Sequence, residues 1–166
     1  MNTQTVKRPR TLTRIAAVQA LFQWEQGTVK AANLIIEQFL LYRIDPQCNE
    51  EIYNDGKAYI PNINLFKNII EQFVHQYSEI DIILTKSLPK DWSLNRLDPI
   101  IRAILRAAIT ELLNDNNDPP TKVIINEYID VTRAFCDGDE PSLINGILDN
   151  ISRQLRPQTA TFPKES

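Results

Sequence analysis

The chain has 166 residues, 43% of them apolar and 23% charged, a balance ordinary for one globular domain with its own core. Only 4 glycines and two distant cysteines, Cys48 and Cys136, argue against phosphate-cradling loops, a glycine-rich β-sandwich and a disulfide framework, and fit a reducing compartment. The net charge of −3 hides an asymmetry: residues 1–24 hold Lys7, Arg8, Arg10 and Arg14 with no acid, +4, leaving 14 basic against 21 acidic residues, −7, over 25–166.

A basic cluster at one end of an otherwise acidic chain can hold phosphates locally while the remainder repels duplex nucleic acid in general. No apolar run approaches the ~20 residues that span a bilayer. Thr13, Arg14 and Gln19 interrupt the Leu12–Phe22 stretch, so it does not read as a signal peptide. A soluble, cytoplasmic protein is the expectation.

The first helix carries two adjacent apolar stripes, Ile15-Val18-Phe22 and Ala17-Leu21-Trp24, and should be well buried. Arg10 and Arg14, four apart, should share one face of its opening turns, and Gly27 should end it as a left-handed cap. Thr28 can cap a second helix carrying Leu34, Ile35, Phe39 and Tyr42, stopping near Asp45-Pro46. Residues 45–61 are rich in turn formers and read as a mobile loop. Helical spacing returns over 62–88, with a break near Ser78.

Asp98-Pro99 is a strong helix start, with Asp98 as N-cap and Pro99 at the first helical position. That helix carries Ile101, Leu105, Ala108 and Leu112 and stops before Pro119-Pro120. Two more follow, one over roughly 121–136 and one carrying Ile144, Ile147, Leu148, Ile151 and Leu155, before Pro157 and a disordered tail over 157–166. No strand pattern occurs, so the fold class is all-α.

Catalytic signals are missing. His75 falls on the polar side of a helix without a partner at recognisable spacing, and no P-loop, GxGxxG, HExxH or GxSxG occurs. No His/Cys cluster suggests a metal. Asn126-Glu127, Asn145-Gly146, Arg106 and Glu111 interrupt apolar runs. Buried polar groups need partners, so Asn145 is expected to bond a helix end and Arg106 to pair with Glu127 or Glu111, a ligand-facing role being the alternative. Gly146 suggests close approach of another helix. Trp24, Trp92 and Phe22 are candidates for exposed contacts, Trp92 by covering a helix end or stacking on a base.

Four segments in order resemble the transcription antitermination factor NusB family. They are Arg10–Trp24 with Ala17-Val18-Gln19-Ala20-Leu21-Phe22; Leu105-Arg106-Ala107-Ala108 with Glu111-Leu112; Pro120 with Val123-Ile124-Ile125-Asn126-Glu127 and Phe135; and Ile144-Asn145-Gly146-Ile147-Leu148-Asp149. The resemblance spans nearly the whole chain. It implies one domain over 1–160, built as two small helical bundles packed together (about 10–88 and about 95–156), with about seven helices.

The resemblance also implies no catalysis, no cofactor and no metal. Its partners would be single-stranded boxA RNA of ribosomal RNA leaders, the small-subunit ribosomal protein NusE, and the antitermination complex on RNA polymerase. It assigns RNA contact to Arg10 and Arg14, with Lys7 and Arg8 as helpers, and to Asp139 and Leu143 before the Asn-Gly motif. It assigns the NusE face to Phe22 and to the helix start near Ile101. Thr11 and Leu12 stand where other members carry further basic residues. No membrane role is implied, and the partner surface could also support a homodimer. Two other readings are an accessory module like the N-terminal domain of ribosomal RNA cytosine methyltransferases, and a helical scaffold without a nucleic-acid role.

Overall fold

The computed structural model describes residues 9–41, 62–114 and 118–157. Lys7, Arg8, the whole 45–61 loop and the tail from 158 lie outside the described residues. The described residues form six α-helices and no strand: α1 (Pro9–Gln26), α2 (Ala32–Phe39), α3 (Ile63–Ser87), α4 (Pro99–Leu112), α5 (Thr121–Phe135) and α6 (Glu140–Leu155). A single 3-10 turn, Leu94–Arg96, precedes α4.

The fold is organised around α4, which is buried on every side from Ile101 to Leu112 and packs against α1, α3, α5 and α6. A helix apolar on one stripe needs one neighbour; one enclosed all round needs several. Thr110 turns its hydroxyl back onto the Arg106 carbonyl of the same helix at 2.7 Å, whereas the charged Arg102, Arg106 and Glu111 on this enclosed helix take partners from its neighbours. Its start is as the sequence predicts: the Asp98 carboxylate accepts from the amides of Ile100 (2.8 Å) and Ile101 (3.4 Å), a cap of about 1 kcal/mol.

Elsewhere the structure corrects local expectations. The 62–88 run is one helix kinked at Gln76 (φ −121°, ψ 16°), two residues before Ser78. The second helix starts after Ala31, not Thr28. Gly27 is not left-handed; an added Cβ would sit 2.9 Å from the Gln23 carbonyl oxygen, so close backbone approach is what requires glycine there. Asn126, Asn145 and Gly146 are exposed, and among the described residues a Cβ on Gly146 would meet nothing within 4 Å, so no described helix approaches it.

Trp24 is core, not surface. Its ring stands edge-on to Phe73 at 4.9 Å between centroids, and its indole N–H donates to the Lys30 carbonyl at 3.2 Å. At the far end of the fold, the buried Arg156 guanidinium, just past α6, donates to the carbonyls of Glu111 (3.1 Å), Leu112 (3.0 Å), Asn114 (3.0 Å) and Pro119 (3.1 Å). One cation thereby satisfies the open C-terminal carbonyls of α4 and fixes the way into α5.

Candidate nucleic-acid interface

The basic opening segment enters the described structure at α1. Arg10 is exposed on its first turn. Arg14, expected beside it as an RNA contact, is instead one of the most buried side chains, 1% exposed. Its Nε and Nη2 donate in a parallel fork to Glu111 Oε2 and Oε1 of α4, both at 2.8 Å. Tyr128 of α5 donates its hydroxyl to Glu111 at 2.5 Å, and its ring lies 5.8 Å from the guanidinium. Spacing by four places two residues on one stripe of a helix; it does not say what that stripe faces. Here it runs from solvent at Arg10 into carboxylates at Arg14.

Burial alone would lower the Arg14 pKa, but the hydrogen-bonded Glu111 carboxylate reverses this and holds the guanidinium above its usual range. Burial, aided by the negative Glu111, pushes the Tyr128 hydroxyl well up, so it stays a donor. The guanidinium, buried and forked onto Glu111 through Nε and Nη2, is closed off from any phosphate outside.

The other end of α1 carries a second network. Glu25 meets both Arg102 and Arg106 of α4, and Arg106 also forks onto Asp81 of α3 at 2.8 and 2.9 Å. These are the partners of Arg106, rather than Glu111 or Glu127. The Arg102 hydrogen bond, helped by Arg106, holds the Glu25 carboxyl below the usual carboxylate range. Arg102 Nη1 reaches on to the carbonyls of Leu94 and Leu97, both at 2.9 Å, and so pins the segment leading into α4.

That pinned segment walls a groove of about 450 Å³ between the starts of α4 and α6. Ile101, Leu97 and Leu143 give it an apolar lining, Trp92 (45% exposed) stands at its side, and Asp91, Asp98 and Glu140 outnumber Arg96 among its charges. Asp139 is exposed directly before α6. The groove thus brings together Ile101 and Leu143, which the resemblance assigned to different ligands, and adds Trp92 and Arg96. Phe22 does not line it; it is half-buried on α1 against the common core. Trp92 was legible as an aromatic in a polar stretch, whereas nothing in the sequence marked Arg96.

Among the described residues no group of acids, histidines and cysteines could hold a metal ion, and no helix is long and apolar enough to cross a membrane. The class defined by this architecture is that of strand-free helical domains assembled around one enclosed central helix. Within that class the chain belongs to the NusB family, whose sequence profile matches residues 11–153. The transcription antitermination protein NusB of Granulibacter bethesdensis is 42% identical over 158 residues, covering 95% of this chain and 94% of the relative. That of Gluconobacter oxydans is 43% identical over 148 residues, covering 89% of each. A solved NusB from T. maritima superposes with a TM-score of 0.67 at 28% identity, covering 93% of this chain and 98% of that one.

Proposed function

We propose that this protein is a non-catalytic, cytoplasmic RNA-binding factor that, together with NusE, binds boxA RNA in ribosomal RNA leader transcripts and promotes assembly of the antitermination complex on RNA polymerase. Membership of the family carries the reading. The exposed Arg10, at the head of a helix fixed against α4 and α5, is the structural observation that supports RNA contact there. Lys7 and Arg8 extend the same basic segment. Phe22 and the groove around Ile101 are the proposed surfaces for NusE, and Asp139 with Leu143 the proposed second RNA contact. The relatives matched over nearly their whole length are antitermination proteins, which favours this reading over the methyltransferase-associated module.

With Arg14 engaged internally, three basic residues remain for phosphates. The slope of log K against log salt should be about −2, at ~0.7 per phosphate neutralised on a single strand. The test is a titration of boxA RNA against a scrambled RNA, with and without NusE. Weak binding alone and tighter, sequence-selective binding with NusE is expected; equal affinity for both RNAs in every condition refutes the proposal.

A further inference from the structure

Two carboxylates of the C-terminal helices reach α1 near its basic end, and only Glu111 is committed to charge neutralisation by a full fork. Glu127, on α5, does something different. Its Oε2 accepts the Thr11 hydroxyl at 2.8 Å and lies 3.4 Å from Arg14 Nη1. That nitrogen is buried and has no hydrogen-bond partner among the described residues. One oxygen therefore touches the first and second turns of α1 together. Thr11 directly follows Arg10 and is itself 6% exposed, so the residue next to the exposed cation is drawn into the core.

We propose that Glu127 is a positioning residue for the basic end of α1: it clamps the opening turn through Thr11 and Arg14 and so presents Arg10 in a fixed place. The inference rests on the RNA-binding function proposed above. The first turn of any helix has unpaired amides and frays readily. A frayed turn must be re-ordered when RNA binds, and that ordering entropy subtracts from affinity. The clamp supplies the order beforehand. Its sign runs against simple electrostatics, because an anion beside a phosphate-binding segment should by charge alone weaken RNA binding.

This opposition makes a clean test. Boxed together in one experiment are the unsubstituted protein, Glu127→Ala, Thr11→Val and Arg10→Ala, each titrated with boxA RNA in the presence of NusE at several salt concentrations. Amide hydrogen exchange over residues 10–14 is followed in parallel without RNA. Glu127→Ala should bind about tenfold more weakly despite losing a negative charge, roughly the cost of re-ordering one backbone residue. Its salt slope should be unchanged, whereas Arg10→Ala should flatten the slope by about 0.7. Thr11→Val, which keeps shape and charge, should move the same way as Glu127→Ala by a smaller factor and should accelerate exchange at 10–14. Equal or tighter RNA binding by a folded Glu127→Ala protein overturns the inference while leaving the RNA function standing, as does unchanged exchange in both variants. Absence of RNA binding by the unsubstituted protein overturns the proposed function itself, and the positioning role with it; faster exchange would then mark the clamp as a stabilising contact only.

Discussion

The two ends of α1 are tied to α4 by the same chemistry in different surroundings. At the start, one guanidinium, Arg14, lies between Glu111 and Glu127 and is 1% exposed. At the finish, two guanidiniums, Arg102 and Arg106, share Glu25 and Asp81, whose side chains keep 20% and 24% of their surface. The first tie has no solvent to replace a lost partner; the second does. Identical ion-pair types therefore differ in what they cost when broken, and the buried one is the more demanding structural commitment.

The largest expected effect is at the buried end. Arg14→Ala strands Glu111 and should lower unfolding free energy by about 3–5 kcal/mol, read from urea unfolding midpoints. Glu25→Gln should cost about 1–2 kcal/mol at neutral pH, since Arg106 keeps Asp81, Arg102 keeps the Leu94 and Leu97 carbonyls, and the part-exposed Glu25 position admits water. Equal losses from the two variants would erase the distinction between the ends. The Glu25 contribution is also pH-dependent. Its folded pKa lies below the ordinary carboxylate value, so the folded state binds fewer protons there than the unfolded one. The stabilisation is complete above that value and fades as pH falls through the folded pKa. Glu25→Gln should therefore show a shallower acid decline than the unsubstituted protein over that window; parallel curves would show that the carboxyl is not titrating as the geometry requires. The smallest effect is a gain: Gly146→Ala, exposed and unobstructed on α6, should stabilise by up to about 1 kcal/mol in thermal unfolding.

What was legible in the sequence was whatever is decided within a few residues. The Asp98-Pro99 start of α4 needed only a carboxylate, a proline and the two amides that follow. The helical spacing along α4, α5 and α6 was equally local. Tertiary partners were not. Arg106 could be seen to need a carboxylate, but whether Glu25, Asp81, Glu111 or Glu127 supplied it depended on how helices distant in the chain are set around α4. The same gap misplaced Arg14: periodicity paired it with Arg10, and only the packing of α4 and α5 on α1 decided that one faces solvent and the other two acids. Gly146 failed differently. A helical glycine signals that a side chain is disfavoured or merely absent, and the open space around it leaves packing among the described residues with no part in the choice.

The Arg156 guanidinium has a bearing on the order in which the protein can be completed. It gathers carbonyls from residues 111, 112, 114 and 119, more than thirty-five positions earlier in the chain. On a ribosome those carbonyls emerge well before the arginine does. The α4–α5 corner is therefore made from one set of residues and finished by another, and a nascent chain reaches its native corner only when synthesis has passed residue 156, as if the last stitch closed a seam sewn long before.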